Sequence, residues 1–253
     1  MADHGRTILI LGGTAEAREL ATELVAAGVD VLTSLAGRVS EPALPAGRVR
    51  IGGFGGADGL STFLAEQQIA AVVDATHPFA VRIGSNAATA VARTGTPLLR
   101  LERRGWRDHP LAGTWTWVPD ANAAVAAADW AQRPFLTTGW QSLEAFFTWS
   151  DRAAAVRLVE PPTLVLPAAW TLIISRGPYR QENEVLLMLE YRLDALITKD
   201  SGGSHTAAKL DAAAELGIPV VVIERPQRPD TPATTNMAEV LEWCLRRGGR
   251  PPG

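Results

Sequence analysis

The chain predicts an α/β fold: two Rossmann-like domains with mainly parallel sheets and an interdomain cleft. Three observations carry this expectation. Short β-branched runs alternate with alanine-rich runs of helical period through the first hundred residues. The strand runs are apolar at consecutive positions rather than at alternate ones. The same alternation resumes after a break at 103–119, "RRGWRDHPLAGTWTWVP", rich in Gly, Pro and charge. Strands apolar on both faces and separated by helices indicate a parallel sheet covered on both sides.

The elements follow in order. "TILIL" (7–11) reads as the first strand and 15–27 as the first helix, because Ala17, Leu20, Ala21 and Leu24 recur at i, i+3, i+4 and i+7. Gly28 stands where a helix commonly ends. "VDVLTSL" (29–35) and "RVRIG" (48–52) read as strands, 57–67 as a helix, "AAVVDAT" (70–76) as a strand, 80–94 as a helix and "PLLRLE" (97–102) as a strand. The break places a boundary between domains 1–104 and 105–253, although "TWTWV" could itself pair as a strand. Beyond it come a helix near 120–131, "RPFLTTG" (133–139), a helical stretch near 141–149, "AAAVRLV" (153–159) and "WTLIISRG" (170–177). A helix near 181–191, "LDALITKD" (193–200), a helix near 204–216, "IPVVVIE" (218–224) and a last helix near 236–246 complete the chain. The halves share an architecture and no sequence repeat.

Composition narrows the function classes. With 253 residues, 47% of them hydrophobic and 20% charged, the chain has a globular balance. No apolar run reaches the roughly 18 residues of a membrane span, and "MADHGR" leads straight into a strand, unlike a signal peptide. The single cysteine, Cys244, excludes an internal disulfide framework and makes the cytoplasm the default location. It falls among Leu241, Trp243 and Leu245, as a small core or interface residue would. A net charge of −3 gives no support to nucleic-acid binding. Of 24 basic residues only Lys199 and Lys209 are lysines, so either one at a site stands out. Zinc-ligand spacing, a nucleophile elbow and a P-loop are all absent.

The junction "TILILGGTAEAREL" puts Gly12, Gly13, Thr14 and Ala15 between the first strand and the first helix. Unpaired N–H groups and the helix dipole make such a junction an anion site. Glycine allows a phosphate to approach the backbone, and Thr14 offers a helix cap and a hydroxyl donor. The dinucleotide fingerprint G-x-G-x-x-G reads here as Gly12-x-Thr14-x-x-Ala17, with only its first glycine kept. After the second strand, where an NAD site places a carboxylate, the chain has "LTSLAGR", with Thr33, Ser34 and Arg38. Hydroxyls and a guanidinium suit a 2′-phosphate, so the pattern favours NADPH; a solvated loop arginine is the plain alternative for Arg38.

Other candidates lie at strand ends, where open α/β sheets bind ligands. "DATHPFA" (74–80) presents Asp74, either a buried hydrogen-bonded acid or a site group, with Thr76 and His77; Arg82 and Asn86 begin the next helix. "ISRGPYR" (174–180) presents Arg176, Tyr179 and Arg180. "ITKDSGGSH" (197–205) presents Lys199, Asp200, Ser201, Gly202, Gly203 and Ser204 in what reads as a second strand–glycine pair–helix cradle. "LTTG" (136–139) is a third strand end with hydroxyls. Several cations near one sheet edge suggest a polyanionic ligand.

Taken together and in order, "ILGGTAEAREL", "SLAGRV", "GGFGGADGL", "DATHPFA", "ISRGPY" and "ITKDSGG" resemble the precorrin-6A reductase family of cobalamin biosynthesis along almost the whole chain. The resemblance implies two Rossmann-like domains, with NADPH and the macrocycle in the cleft between them, and hydride delivery to a double bond of precorrin-6A to give precorrin-6B. It implies that the first domain holds the cofactor through Gly12, Gly13, Thr14, Ala15, Ser34, Arg38, Thr76 and His77. The second domain would serve substrate binding and closure. Arg82, Arg176, Arg180, Lys199, Ser201, Gly202 and Gly203 would then meet the substrate's acetate and propionate carboxylates. Reduction also consumes a proton, for which Asp200, Tyr179, Lys199, His77 and a bound water all qualify. No metal and no nucleic-acid or membrane partner is expected.

Overall fold

The structure is a computed structural model that describes residues 7–36, 44–203 and 206–249. Its chain divides into two units. One comprises the residues up to Glu102 together with those from Gln227 onward; the other is Arg103–Pro226.

The first unit contains a six-stranded, wholly parallel sheet. Its strands are β1 (Ile8–Leu11), β2 (Val31–Leu35), β3 (Arg48–Ile51), β4 (Ala71–Asp74), β5 (Leu98–Leu101) and β12 (Ala233–Thr234), in the order β12-β5-β4-β1-β2-β3. The chain winds outward in one direction from β1 to β3 and in the other from β4 to β12. This is the doubly wound arrangement, with its switch point between β1 and β4. Helices α1 (Ala15–Ala26), α2 (Gly56–Glu66), α3 (Val81–Thr94) and α7 (Met237–Leu245) cover it. Alternate residues of one strand feed opposite faces. Ile8 and Ile10 join Leu20, Leu24, Val240 and Cys244 in one cluster, while Leu9 and Leu11 join Leu60, Leu64, Ala87 and Ala90 in the other. That two-sided burial is why β1 is apolar at every position.

The second unit repeats the plan with β6 (Thr116–Val118), β7 (Pro134–Thr137), β8 (Ala155–Leu158), β9 (Thr171–Ile174), β10 (Ala195–Lys199) and β11 (Val220–Ile223). Their order is β6-β11-β10-β7-β8-β9, again all parallel. Here the switch point falls between β7 and β10. Helices α4 (Ala121–Ala127), α5 (Gln181–Glu190) and α6 (Ala208–Glu215) connect the strands, and residues Trp140–Trp149 form 3₁₀ turns where the first unit has α1.

The boundary that gave 105–253 to the second domain is corrected. The last helix does not belong to the second unit: Val240 and Cys244 of α7 pack into the β1–α1 cluster, and β12 pairs with β5. Each sheet draws its sixth strand from outside its own continuous five-strand run, β12 arriving late in the first unit and β6 early in the second. The two-residue strand β12 is too short to carry a hydrophobic period, and a helix stripe does not say which sheet it will cover. Cys244 is therefore a core residue of the first unit, and burial pushes its thiol up to about 12. Among the described residues, no helix is long and apolar enough to cross a membrane.

Candidate functional site

In the first unit the site grows from the ends of β1, β2 and β4. Gly12 follows β1 and donates its N–H to the Ser34 carbonyl at 3.0 Å. A Cβ at Gly12 would stand 2.8 Å from Thr33 Cγ2, so this position needs glycine for close packing of β1 on β2. Gly13 has φ +110, and a Cβ there would meet no protein atom within 4 Å. Its requirement is conformational on the protein side and leaves open space on the ligand side. Thr14 is the N-cap of α1: its Oγ1 accepts from Ala17 N at 3.1 Å and donates to Ala75 O at 2.9 Å.

That second bond corrects the reading of Thr14 as a hydroxyl donor to a ligand. A hydroxyl has one hydrogen, and this one ties the α1 cap to the residue after β4. The backbone N–H groups at Thr14 and Ala15 remain the donors of this junction, ahead of the first intrahelical bond, Arg18 N to Thr14 O. The junction fits a pyrophosphate: glycine backbone, a capped helix N-terminus and open space beside Gly13.

At the end of β4, Asp74 is buried and fully engaged. Its Oδ1 accepts from Thr76 N at 3.1 Å and Thr76 Oγ1 at 2.6 Å, and its Oδ2 accepts from Arg228 Nη2 at 2.6 Å. Of its two readings, the hydrogen-bonded acid is the observed one. His77 follows, with Nδ1 accepting from Phe79 N at 3.2 Å, so any proton the neutral ring carries is on Nε2. Gly12–Ala15, Ser34, Thr76 and His77 are thus brought to one sheet edge, with β1 flanked in register by Ser34 and Asp74. Arg82 stands exposed in the first turn of α3. Arg38 and Ser204 lie outside the described residues.

In the second unit the counterpart of the opening junction, by strand position, is "LTTG" at the end of β7. The "KDSGG" turn corresponds to "DATHPFA" instead. The expected second cradle is altered in three ways. Helix α6 begins only at Ala208, with no side-chain cap. Gly202 is buried, and a Cβ there would stand 2.3 Å from Arg225 Nη2 and 2.4 Å from Arg104 O. Gly203 N donates to Arg104 O at 3.4 Å. These glycines serve internal packing of the turn, which an isolated sequence motif does not distinguish from ligand contact.

The four proton-donor candidates separate. Asp200 is buried: Oδ1 accepts from Trp106 N at 3.0 Å, and Oδ2 pairs with Arg225 Nε at 3.2 Å. A carboxylate held by a backbone N–H and a guanidinium charge is a structural anchor. Tyr179 donates its hydroxyl hydrogen to Ser175 O at 3.0 Å, and its ring carries the Arg157 guanidinium 4.3 Å from the centroid. Arg176 and Arg180 flank it, both exposed. All three follow β9, which is separated from β10 by β7 and β8. At roughly 4.8 Å per strand step, that is about 14 Å along the same edge. Lys199 ends the central strand β10, partly buried, and burial lowers its ammonium to about 8. His77 belongs to the first unit.

Two charged groups that the sequence did not single out are engaged here. Arg225 and Arg228 carry no motif, because their partners are 25 and 154 residues away. Lys209 is buried in α6, its Nζ donating to Thr206 O at 2.5 Å and lying 4.7 Å from the Trp106 ring centroid. Desolvation lowers its ammonium to about 7, with the nearby Arg157 guanidinium adding to the shift; Glu184 opposes it. Arg157 and Glu184 form a buried two-bond pair, at 2.8 and 2.9 Å.

A stability prediction follows from Lys209. Its folded pKa of about 7 lies below the ordinary 10.5, so between those values the unfolded chain binds more protons and stability rises with pH. Lys209→Met should remove that rise, at most on the order of 5 kcal/mol across the window. Melting curves of both proteins from pH 7 to 10 check it; parallel curves would show that Lys209 is not titrating there.

The family described as Precorrin-6x reductase CbiJ/CobK matches residues 7–245. A protein named Precorrin-6A reductase from Rhodococcus erythropolis is 48% identical over 239 residues, spanning 93% of this chain and 96% of its own. Another of that name, from Mycobacterium tuberculosis (strain ATCC 25618 / H37Rv), is 50% identical over 224 residues, 88% of this chain and 90% of its own. The solved structure of a CobK precorrin-6A reductase aligns with a TM-score of 0.90 at 39% identity, covering 97% of this chain and 98% of that one.

Proposed function

The chain belongs to the precorrin-6x reductase CbiJ/CobK family, and from that membership we propose that it reduces a double bond of the precorrin-6A macrocycle with NADPH to give precorrin-6B in cobalamin biosynthesis. The observation that carries the cofactor half is the Gly12–Ala15 junction, where a positive-φ glycine faces open space at a capped helix N-terminus on the switch-point strand. The matching position in the second unit lacks this device, since 3₁₀ turns without a side-chain cap follow Gly139. The cofactor is accordingly assigned to the first unit and the tetrapyrrole chiefly to the second. The cytoplasm is the proposed location, in keeping with the single, buried thiol.

NADPH, when bound, supplies the hydride. The chain's own work is to hold, orient and exclude water. Backbone donors at Gly13, Thr14 and Ala15 would take the pyrophosphate. Thr33, Ser34 and Ala36, with no carboxylate among them, leave the end of β2 open to a 2′-phosphate. The double bond gains two electrons and two hydrogens: hydride at one carbon, a proton at its partner. Lys199 is the assigned source of positive charge at the substrate. With its ammonium lowered to about 8 it can also release a proton near neutral pH. Arg82 in the first turn of α3 and Arg176 and Arg180 after β9, all exposed, suit the substrate's carboxylates.

The decisive experiment follows NADPH oxidation with precorrin-6A, with small carbonyl compounds and with no acceptor. Turnover with precorrin-6A alone is expected. Turnover with small carbonyls alone would make this a reductase of another substrate, and binding without turnover would make it an NADP(H) sensor. Cofactor choice has its own test. A charge-assisted phosphate contact contributes roughly 1.5–3 kcal/mol, so Arg38→Ala should weaken NADPH about ten- to a hundredfold and spare NADH. Equal losses for both would remove the 2′-phosphate role.

A further inference from the structure

One four-residue stretch, Arg225-Pro226-Gln227-Arg228, supplies an arginine to each unit, and each arginine grips the aspartate at the equivalent strand end. In the second unit Arg225 donates Nε to Asp200 O at 3.1 Å and Nη1 to Arg103 O at 2.8 Å, and pairs with the Asp200 carboxylate at 3.2 Å. In the first unit Arg228 Nη2 donates to Asp74 Oδ2 at 2.6 Å and to Thr76 Oγ1 at 3.3 Å. Asp74 closes β4 and Asp200 follows β10, the two strands that occupy the same place in their sheets. The second unit ends at Pro226 and the first resumes at Gln227, so the arginines fall on either side of the crossing.

Each arginine is accommodated by a glycine. A Cβ on Gly84 of α3 would come within 2.4 Å of Arg228 Nη2, one on Gly202 within 2.3 Å of Arg225 Nη2, and one on Gly105 within 2.8 Å of Asp200 Oδ2. Neither arginine is satisfied completely. Arg228 Nε and Arg225 Nη2 are buried without a partner among the described residues. A guanidinium kept buried with a donor unused is held for its position, since the same charge at the surface would be hydrated.

We propose that Arg228 and Arg225 are positioning residues for two different ligands. Arg228 acts through Asp74, whose other oxygen fixes Thr76 N and Oγ1 in the cofactor edge. Arg225 acts through Asp200, the residue between Lys199 and Ser201 in the substrate edge. Loss of either arginine leaves a buried carboxylate without its counter-charge, and the strand end it held rearranges. The effect is confined to the ligand that this strand end serves. The inference rests on the assignment of cofactor to the first unit and substrate to the second.

The test is a crossed measurement: NADPH affinity by fluorescence titration and KM for precorrin-6A by steady-state kinetics, on Arg228→Ala, Arg225→Ala and the two Lys variants. Arg228→Ala is expected to weaken NADPH at least tenfold with the precorrin-6A KM within twofold. Arg225→Ala is expected to do the reverse. Lysine at each position should regain part of the loss, because charge returns without the fork geometry. If an alanine variant does not fold, the Lys variants and Gly84→Ala, which displaces Arg228 without removing it, give the same readout. Equal losses for both ligands, or a lowered melting temperature with both affinities unchanged, would overturn the proposal. Gly13→Val and Lys199→Ala test the underlying assignment independently. If those two fail to separate the ligands, the assignment is at fault; if they separate them and the arginine variants do not, the positioning roles are.

Discussion

Lys199→Ala is expected to lower kcat/KM for precorrin-6A by about ten- to a hundredfold, the equivalent of roughly 1.5–3 kcal/mol for one charge-assisted contact, with NADPH affinity within twofold. Lys199 ends β10, the central strand beside the switch point, one residue before the anchored Asp200. Partial burial lowers its ammonium to about 8. The cation is therefore present below that pH and lost above it. Whether it meets a substrate carboxylate or gives up the proton of reduction, wild-type kcat/KM should fall as pH rises through about 8, and Lys199→Ala should lack that limb. Lys199→Arg separates the two roles: it keeps a charge throughout this range, so a carboxylate contact is partly rescued and a proton source is not. Steady-state kinetics between pH 6 and 10 on all three proteins decide it. Wild-type kcat/KM in the alanine variant would exclude Lys199 from the site.

Gly13→Val is expected to abolish measurable NADPH binding in a protein that still folds. The structure divides the effect into two parts. A Cβ at this position meets no protein atom within 4 Å, so there is no clash in the free protein, but φ is +110. A β-branched residue held there carries strain of about 1–3 kcal/mol, a cost that a domain with the usual 5–15 kcal/mol of stability survives. The isopropyl group then occupies the open space beside the first turn of α1, where the pyrophosphate would sit. Calorimetric titration, with circular dichroism to confirm folding, checks both halves. Normal NADPH affinity in folded Gly13→Val protein would mean that the cofactor lies elsewhere. Gly12→Val makes an informative contrast: its Cβ would press on Thr33 Cγ2 at 2.8 Å, so it should reduce stability as well as binding.

The sequence by itself determined the fold class, most of the helices and strands, and the form of the junction between β1 and α1. These are local consequences of pattern. β1 is apolar at four consecutive positions because both faces are covered, α1 repeats Ala17, Leu20, Ala21 and Leu24 on one face, and Thr14 caps it within three residues of its partner Ala17. Only the tertiary structure decided which sheet each late element joins. β12 and α7 return to the first unit because Ala233 and Thr234 find the free side of β5, and Val240 and Cys244 find the β1–α1 cluster. Nothing in a two-residue strand or an amphipathic helix names its partner. The tertiary structure also sorted residues that look alike in sequence. Asp74 and Asp200 each follow an apolar run as a catalytic acid would, yet both are anchors for arginines far along the chain. Tyr179 has its hydroxyl committed to Ser175, and Gly202 yields its space to Arg225. Hydrogen-bond commitment and steric clearance depend on what the fold brings within 3 Å. Sequence spacing encodes that only where the partner lies within a turn or two of helix.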